Sequence, residues 1–424
     1  EKKQALARPA MANSQQLKKT VGDIIARVEA EGDAAVLDYT RKFDCPDLTN
    51  LVLSQDDIDA LAAKVTPVVA SAIDTAFNNI KAFHEAQMPS DIALTTTPGV
   101  KCELRFTALD AVGLYIPGGS APLPSTVLML GVPALVAGCE NKLLCTPPNK
   151  EQLIAPEIAY AAGKCGIDKI FLCGGAQAVA AMALGTNTIP QVDKIFGPGN
   201  SFVTEAKQQV SQRADGAAID MPAGPSEVLV LADEFANPEF VAADLLSQAE
   251  HGPDSQAILV SNSATLIEEA KAAVERQLAT LSRAEIARPA MENARYILAD
   301  SIEQAIEASN AYAAEHLIVQ IENARDYLPK IKYAGSIFLG PWSPESAGDY
   351  ASGTNHVLPT YGYAKNYSSL GLLDFMRRYT IQELSEDGMR NLGPAIMALA
   401  AAEGLDAHEQ AVALRMQALK QGDA

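Results

Sequence analysis

An amide and an imidazole lie three residues apart near the middle of this sequence, in a pattern that fits one side of a metal site. Gln248 and His251 fall in the last turn of a short helix that begins after Asn237 and ends at Gly252-Pro253. Residues three apart project from one helix face, so both side chains reach the same space. An imidazole beside an amide oxygen can bind zinc, although Gln is a rarer zinc ligand than His, Cys or carboxylate. On this stretch alone, a structural His at the negative end of the helix dipole is the favoured interpretation.

Three further polar clusters occur in the second half of the chain. They are Glu315-His316, the segment 341–356 with Asp349 and His356, and the bend that carries Glu403, Asp406 and His408. Taken singly, each has a structural explanation: a surface acid beside a His, an irregular loop, or a pair of helix caps. With His251 they hold four of the five histidines, and all lie at the ends of predicted elements, where rigid scaffolds carry sites. They are therefore candidates for one site.

The residue types in these clusters suit zinc. His251, Asp349 and His408 with Gln248 would form a shell of nitrogen and oxygen ligands, with room for substrate atoms to complete it. Such an open shell is typical of a catalytic site and differs from the closed shell of a structural one.

The adjacent Glu315 and His316 supply what an oxidation through an aldehyde requires. An imidazole that titrates near neutral pH can take the proton of an alcohol, and a carboxylate can activate water for attack on the aldehyde. A zinc hydrolase is the alternative enzyme class, because the same groups fit water attack on a carbonyl. A metal-binding or assembly subunit is the non-enzymatic alternative. Only the oxidoreductase predicts reduction of NAD.

The elements that must position these residues follow two patterns. Residues 14–86 show helical periodicity, for example in Leu17, Val21, Ile24 and Val28. From Cys102, short apolar strands alternate with Ala-rich helices, first at 111–116, 142–145, 169–173 and 194–196, and again from 227 to 339. This alternation predicts α/β architecture with mostly parallel sheets covered by helices. Beyond Ala364 the pattern is helical again.

Three of the predicted strands end in glycines and amides. The segments are Tyr115-Ile-Pro-Gly-Gly-Ser, Gly174-Gly-Ala-Gln177 and Gly197-Pro-Gly-Asn200. Open α/β sheets bind ligands at the carboxyl ends of their strands, which indicates a nucleotide cleft here. None of the three matches G-x-G-x-x-G, and simple tight turns would look the same, so the glycines alone are weak evidence.

Composition limits the function classes. A chain of 424 residues allows two or three domains, and a net charge of −19 argues against a nucleic-acid partner. The longest nearly apolar run, Thr126 to Cys139, is broken by Pro133 and is too short to span a membrane. The sequence begins without a signal-peptide pattern, and its six cysteines include no C-x-x-C pair. We therefore expect reduced thiols, no membrane partner and a cytoplasmic location.

Several long motifs closely resemble histidinol dehydrogenase, in one register from about residue 8 to the C-terminus. They include the three glycine segments above, and also Ile219-Asp-Met-Pro-Ala-Gly-Pro-Ser226-Glu, Gln248-Ala-Glu-His251-Gly-Pro-Asp-Ser-Gln, Glu315-His316-Leu-Ile and Ser346-Ala-Gly-Asp349-Tyr-Ala-Ser-Gly-Thr-Asn-His356. The resemblance implies oxidation of L-histidinol through L-histidinaldehyde to L-histidine, the last two steps of histidine biosynthesis, with two NAD reduced in turn.

The resemblance also implies a role for each matching position. It gives one Zn²⁺ per subunit, held by Gln248, His251, Asp349 and His408 of the partner subunit, and it makes Glu315 and His316 catalytic, with Glu315 activating water and His316 acting as the base. The implied substrate contacts are Ser226, Gln248, His251, His316, Asp349, Glu403 and His408. Tyr115, Gln177 and Asn200 match positions that meet NAD, and the role of His356 is left open.

The fold that the resemblance implies is α/β, with two incomplete Rossmann-like domains related to aldehyde dehydrogenases and with helical segments at both ends. The expected division is an arm at 1–20, a first α/β domain at 21–112 plus 226–363, a second at 113–225 that contacts NAD, and a helical segment at 364–424. The expected assembly is a homodimer that exchanges this last segment and shares its active sites. Aldehyde dehydrogenases use a Cys nucleophile, but the resemblance assigns none here.

Overall fold

A computed structural model describes residues 6–8, 15–118, 122–221 and 224–422 of the chain. These residues form two compact units. The first comprises Glu1–Gln87 and Leu109–Phe375, and the second comprises Met88–Ala108 and Met376–Ala424. Most of the predicted arm at 1–20 lies outside the described residues, as do 119–121 and 222–223 within two of the motifs.

The first half of the chain begins with helices and continues with strands alternating with helices. The elements are α1 (Gln15–Glu31), α2 (Asp33–Phe43), α3 (Gln55–Ala62), α4 (Pro67–Glu85), β1 (Ile92–Thr97), β2 (Val100–Ala108), β3 (Ala111–Tyr115), α5 (Pro124–Ala137), β4 (Asn141–Thr146), α6 (Pro156–Lys164), β5 (Lys169–Leu172), α7 (Gly175–Leu184), β6 (Lys194–Phe196), α8 (Ser201–Ser211) and β7 (Ala218–Ile219). In α1 the periodic residues Val21, Ile24 and Val28 are buried, which confirms the predicted apolar face.

The second half repeats the alternation and ends with a strand and two helices. The elements are β8 (Glu227–Ala232), α9 (Pro238–Ala249), β9 (Gln256–Ser261), α10 (Ala264–Leu278), α11 (Ala284–Glu292), β10 (Arg295–Leu298), α12 (Ile302–Tyr312), β11 (His316–Gln320), β12 (Ser336–Leu339), α13 (Glu345–Tyr350), β13 (Met376–Leu384), α14 (Glu386–Ala402) and α15 (Asp406–Gly422). Short 3₁₀ helices occupy Ala324–Lys330, Tyr363–Lys365 and Leu372–Phe375.

Two five-stranded sheets of the first unit share one topology. Their strand orders are β5-β4-β3-β6-β7 and β10-β9-β8-β11-β12, and every neighbouring pair is parallel. In each sheet the first strand along the chain lies in the centre, so that the strand order reverses beside it, as in Rossmann-like sheets. The predicted α/β class with two Rossmann-like sheets is confirmed.

Burial on both faces explains the continuous apolar runs of the second sheet. Every residue of β8 and β9 is buried. Val228 and Val230 belong to a core cluster that also contains residues of α9 and α10, whereas Leu229 and Leu231 belong to a separate cluster that contains residues of α12. Successive side chains of a strand point to opposite faces, so a strand covered on both sides is apolar along most of its length. The buried polar residues of β8 and β9 lie only at their ends: Glu227, Gln256 and Ser261.

The second unit contains a sheet that the sequence analysis did not predict. Strands β1, β2 and β13 form an antiparallel three-stranded sheet, in which β13 pairs with β2 from Met376 to Leu384. The prediction that the chain beyond Ala364 is only helical was therefore wrong for β13, although α14 and α15 are confirmed. None of the nine residues of β13 is buried, so the strand lacks the apolar alternation that marks a half-buried strand in a sequence.

One smaller prediction also needs correction. The segment 341–356, expected as a loop, contains α13. Within the described residues no single helix has the length and apolar character to cross a membrane, although α3 and α4, bent by 108° at their junction, together meet those two criteria.

Candidate active site and metal centre

The predicted catalytic pair lies at the amino end of β11 in the second sheet, beside the amino end of the neighbouring strand β8. His316 is the first residue of β11, Glu315 precedes it, and Glu227 is the first residue of the adjacent β8. Open α/β sheets usually bind ligands at the opposite, carboxyl edge. The glycine segments of the first sheet follow that rule, while the site on the second sheet does not.

Both members of the pair are held by the backbone of one residue. The peptide N–H of Glu227 donates to Oε2 of Glu315 at 2.8 Å, and the ring Nδ1 of His316 lies 3.1 Å from the carbonyl oxygen of Glu227, to which it can donate. The other ring nitrogen, Nε2, is buried without a hydrogen-bond partner among the described residues. Nε2 is therefore the nitrogen that is free to exchange a proton with a substrate.

Gln248 reaches the same place from the end of α9, where it is fully buried. In one orientation of the amide, its oxygen lies 3.0 Å from Nδ1 of His316 and can accept from it. With the amide turned over, its nitrogen instead faces Oε1 of Glu345 at 3.2 Å, the carbonyl of Glu227 at 3.1 Å and Nδ1 of His316 at 3.0 Å. The two oxygens can take both hydrogens of the amide group, and Nδ1 of His316 can accept one only when it carries no proton.

A group suited to a divalent cation lies beside Gln248. One ligand atom each from His251, Glu345 and Asp349 lies within 4.8 Å of the others. Glu345 is almost completely buried, and its Oε2 has no hydrogen-bond partner among the described residues. A buried carboxylate oxygen without a partner is costly, and a cation bound close by would stabilise its charge. The donor set of imidazole nitrogen and carboxylate oxygen fits zinc.

The sequence analysis did not single out Glu345. Glu345 and Asp349 are the first and fifth residues of α13, and residues four apart share one helix face. The signal was therefore present as an acidic pair with helical spacing. It was overlooked because the surrounding Pro, Ser and Gly residues favoured a loop.

Crowded acids shift the pKa values of the buried groups in this site. Burial raises the pKa of Glu315 to about 7 and that of Glu345 to about 8. Burial alone would lower the pKa of His316, but the carboxylates of Glu345, Glu315 and Asp349 outweigh it and raise the pKa to about 10. A bound divalent cation would favour the ionised carboxylates and reverse this pattern.

Asp349 is also tied to the two neighbouring histidines. Its Oδ1 lies 3.7 Å from Nε2 of His316, and its backbone carbonyl lies 2.9 Å from Nδ1 of His356. The other ring nitrogen of His356 lies 3.3 Å from the hydroxyl of Thr126. His356 therefore contacts the backbone of Asp349 and links this residue to α5, a structural role for a residue whose function the sequence left open.

The three residues predicted to meet NAD line one cavity of 730 Å³ in the first unit: Tyr115, Gln177 and Asn200. The hydroxyl of Tyr115 accepts from the N–H of Gly175 at 3.1 Å. Asn200 caps α8, because its side-chain oxygen accepts from two N–H groups of the first turn. A cavity therefore lies at the carboxyl edge of the first sheet, where the nucleotide cleft was expected. Asp44 also lines it and was not predicted.

A buried ion pair fixes the glycine segment at one wall of this cavity. Gly197 donates its N–H to Asp220 at 2.8 Å and accepts from Nζ of Lys207 at 2.8 Å, and Lys207 and Asp220 also pair with each other. Gly197 has φ of 125°, and a Cβ on it would lie 2.2 Å from the carbonyl oxygen of Tyr115. Only glycine fits this position.

The remaining predicted residues lie in two places. Ser226 directly precedes β8 and therefore stands next to Glu227. Glu403 and His408 belong to the second unit, where Glu403 follows α14, His408 lies in the first turn of α15, and both side chains are exposed. The structure brings Gln248, His251, Asp349, Glu315 and His316 together. It does not test the assignment of His408 as a ligand supplied by a second copy of the chain.

Comparisons with known proteins agree over nearly the whole chain. The family profile described as histidinol dehydrogenase matches residues 7–416. The histidinol dehydrogenase of Idiomarina loihiensis is 56% identical over 417 residues, covering 98% of this chain and 94% of the relative, and that of Vibrio parahaemolyticus is 56% identical over 416 residues, covering 98% and 96%. The crystal structure of histidinol dehydrogenase from Elizabethkingia anophelis is similar with a TM-score of 0.95 at 50% identity, covering 99% of this chain and 96% of that one.

Proposed function

The chain belongs to the histidinol dehydrogenase family, whose members are NAD-dependent, zinc-binding oxidoreductases of histidine biosynthesis, and we propose how its residues divide the oxidation of L-histidinol between them. The observation that carries the proposal is the shared anchor of Glu315 and His316 on the peptide of Glu227, beside the cluster of His251, Glu345 and Asp349. A hydrolase does not account for this family membership or for the nucleotide-sized cavity.

The zinc ligands of one site are Gln248, His251 and Asp349, with His408 of the partner subunit as the fourth. Glu345 can accept from the amide nitrogen of Gln248, which would leave the amide oxygen to the cation. The ligands would hold a zinc ion that binds the imidazole and amino nitrogens of the substrate and leaves its alcohol carbon free. Ser226 and the partner subunit's Glu403 complete the contacts with the substrate.

His316 acts as the base of the first oxidation. Its Nε2 faces the cluster without a hydrogen-bond partner among the described residues, while its Nδ1 is fixed by the carbonyl of Glu227. The alcohol proton passes to Nε2 as the carbon loses a hydride. Tyr115, Gln177 and Asn200 would hold NAD in the cavity that they line, and NAD would supply the hydride acceptor for each of the two oxidations. The product of this step is L-histidinaldehyde.

Glu315 activates water for the second oxidation. Its carboxylate is buried, and one oxygen is held by the N–H of Glu227, so the other is left to accept a proton from water. Attack of that water on the aldehyde carbon, with one proton passing to Glu315, gives the anion of the hydrate, which loses a second hydride and a proton to form the carboxylate of L-histidine.

The yield of NADH per histidinol tests this function. We expect two equivalents of NADH for each histidinol consumed. Removal of the zinc with a chelator should abolish turnover, and added zinc should restore it. A single equivalent with accumulation of the aldehyde would contradict the four-electron reaction. The variant Glu315→Gln should oxidise histidinol to the aldehyde and stop there, whereas His316→Gln should be slow in the first step.

The homodimer with shared sites can be tested by complementation between two inactive variants. His251→Ala and His408→Ala should each lose zinc-dependent activity as pure proteins. If His408 acts across the dimer, mixed and reassembled subunits form heterodimers with one intact site, so activity should return to about a quarter of the wild-type level. No recovery in proven heterodimers would place His408 in the site of its own chain.

The division of the chain into segments 1–20, 21–112 plus 226–363, 113–225 and 364–424 is also part of this proposal, as is a cytoplasmic location, which accords with a biosynthetic reaction that consumes NAD. The first sheet begins at Ala111, so the boundary at 112/113 falls within β3, and the rest of both five-stranded sheets falls inside the two α/β segments. Limited proteolysis tests the boundary at 225/226, which lies between β7 and β8, since cleavage should concentrate there. Earlier cleavage inside either sheet would contradict this boundary.

A further inference from the structure

The N-terminal segment contributes a charged side chain to the support of the catalytic pair. Arg8 lies beside the first residue of β8, more than two hundred positions away along the chain, and forms a two-pronged ion pair with the carboxylate of Glu227 through Nε and Nη2. The Glu227 side chain is completely buried, and that of Arg8 is 15% exposed. A paired guanidinium of this geometry fixes both the position and the plane of a carboxylate.

Arg8 also binds the segment that leads into Glu315 and His316. Its Nη2 donates to the carbonyl of Tyr312, the last residue of α12, at 2.9 Å, and its guanidinium lies 3.8 Å from the centre of the Tyr312 ring. The chain reaches Glu315 only three residues later. One guanidinium thus joins the start of β8 to the end of the helix before β11.

The backbone of Glu227 carries this restraint to the reacting groups. Its N–H holds Oε2 of Glu315 at 2.8 Å, and its carbonyl holds Nδ1 of His316 at 3.1 Å. Without Arg8 the buried Glu227 carboxylate would lose the guanidinium that pairs with it. A buried charge without a partner is unstable, so the side chain would shift, take up a proton or be reached by water. Each of these changes would displace the peptide that orients both catalytic side chains.

We propose that Arg8 is a positioning residue of the active site, which acts through Glu227 on Glu315 and His316. Gly362 supports this arrangement, because it has φ of 81° and a Cβ on it would lie 3.0 Å from Nη1 of Arg8. The proposal rests on the proposed roles of Glu315 and His316. It assigns a catalytic consequence to an N-terminal segment that lies outside both α/β sheets.

The test compares Arg8→Ala and Arg8→Lys with the wild-type enzyme and with Arg213→Ala. Arg213 is a matched control, since it also forms a two-pronged pair with a glutamate, Glu29, but at a partly exposed position away from the site. All proteins are measured with zinc content and thermal midpoint determined, so that kcat refers to folded, zinc-loaded sites. We expect Arg8→Ala to lower kcat about tenfold to a hundredfold, as for other misplaced catalytic groups, with the KM for NAD unchanged and Arg213→Ala at the wild-type kcat.

Two further measurements separate positioning from a general effect on folding. Lysine retains the charge but cannot form the two-pronged pair, so Arg8→Lys should recover part of the kcat lost in Arg8→Ala. Millimolar guanidinium should raise the kcat of Arg8→Ala several-fold by occupying the vacated place, whereas sodium chloride at the same ionic strength should not. Guanidinium should not raise the kcat of Arg213→Ala.

A double variant identifies the route of the effect. If Arg8 acts through the catalytic pair, adding Arg8→Ala to His316→Gln should lower the residual kcat by less than Arg8→Ala lowers that of the wild type. A wild-type kcat in folded, zinc-loaded Arg8→Ala or Arg8→Lys would overturn the inference, provided that His316→Gln is impaired. A wild-type kcat in His316→Gln itself would instead overturn the proposed function.

Discussion

Oδ1 of Asp349 lies 3.7 Å from Nε2 of His316, so a proposed zinc ligand and the proposed base stand side by side at the amino edge of the second sheet. Glu345 approaches the other ring nitrogen, with Oε1 3.7 Å from Nδ1. The imidazole is therefore placed between two carboxylates that come from one short helix, α13. The geometry of α13 thus determines both the metal group and the surroundings of the base.

Replacement of Glu345 by Gln should weaken zinc binding. The substitution keeps the size of the side chain but removes the carboxylate that orients the Gln248 amide, and loss of such a supporting group typically costs about 10- to 100-fold in metal affinity. Zinc affinity is measured by competition with a chromogenic chelator. Glu307→Gln, at an exposed position of α12, is the control and should bind zinc as tightly as the wild type. Equal affinity in both variants would show that Glu345 does not support the site.

The zinc-free protein should lose thermal stability as the pH rises from about 5 to 9. The folded-state pKa values of Glu315 and Glu345 are raised to about 7 and about 8, and that of His316 to about 10. A group with a raised pKa stabilises the fold most below its unfolded pKa, and this contribution is lost as the pH rises through the folded pKa. The direction is therefore the same for all three groups.

The measurement is the thermal midpoint of chelator-treated protein at several pH values, compared with zinc-loaded protein. Zinc binds the ionised carboxylates, so the loaded protein should show a smaller decline over the same range. Asp244→Asn provides a separate check, because burial raises the pKa of Asp244 to about 7 and Gln320 donates to it at 2.7 Å. In zinc-free Asp244→Asn the thermal midpoint should depend less on pH than in the zinc-free wild type, because one group with a raised pKa is removed. A midpoint that rises with pH in zinc-free protein would contradict the raised pKa values.

Gly197→Ala should weaken NAD binding with little effect on zinc binding. The added Cβ would lie 2.2 Å from the carbonyl oxygen of Tyr115. Gly197 also has φ of 125°, a backbone conformation that is strained for any other residue. Strain of this kind costs about 1–3 kcal/mol, and the loop can relieve it only by moving away from Tyr115 and Asn200. The KM for NAD is compared with the zinc content. Gly163→Ala is the control and should leave the KM for NAD unchanged, because nothing lies within 4 Å of its new Cβ. An unchanged KM in Gly197→Ala would show that the segment of Gly197 has no part in the NAD site.

Replacement of all six cysteines by Ala or Ser should leave histidinol turnover in place. All six are free thiols, five are buried, and Cys102 is intermediate. None of them belongs to the group of His251, Glu345 and Asp349 or to the lining of the NAD cavity. The variant should be less stable, because smaller or more polar side chains then occupy core positions. Loss of turnover with fold and zinc intact would indicate a covalent cysteine step.

Local sequence signals predicted much of this molecule correctly. The start of α9 follows from Asn237 and Pro238. The helix ends at Ala249, a little before the predicted end at Gly252, so Gln248 lies in its last turn and His251 follows its C-cap, Glu250. The glycine-bearing ends of β3 and β6 predicted where the cavity lies. These features depend on backbone propensity, capping and apolar periodicity, which act within one or two turns of chain.

The amino-acid sequence by itself determined the α/β class, the strand and helix alternation, the residue types of the metal group and, through its motifs, the family. Only the tertiary structure decided that the second sheet uses its amino edge, that Glu345 joins Asp349, and that Arg8 reaches Glu227. The position of β13 beside β2 was also decided only by the tertiary structure. Antiparallel pairing along the whole strand holds β13 there, although none of its residues is buried. These contacts join residues far apart in the chain, and their energy comes from burial and pairing in the packed fold, which no local pattern encodes.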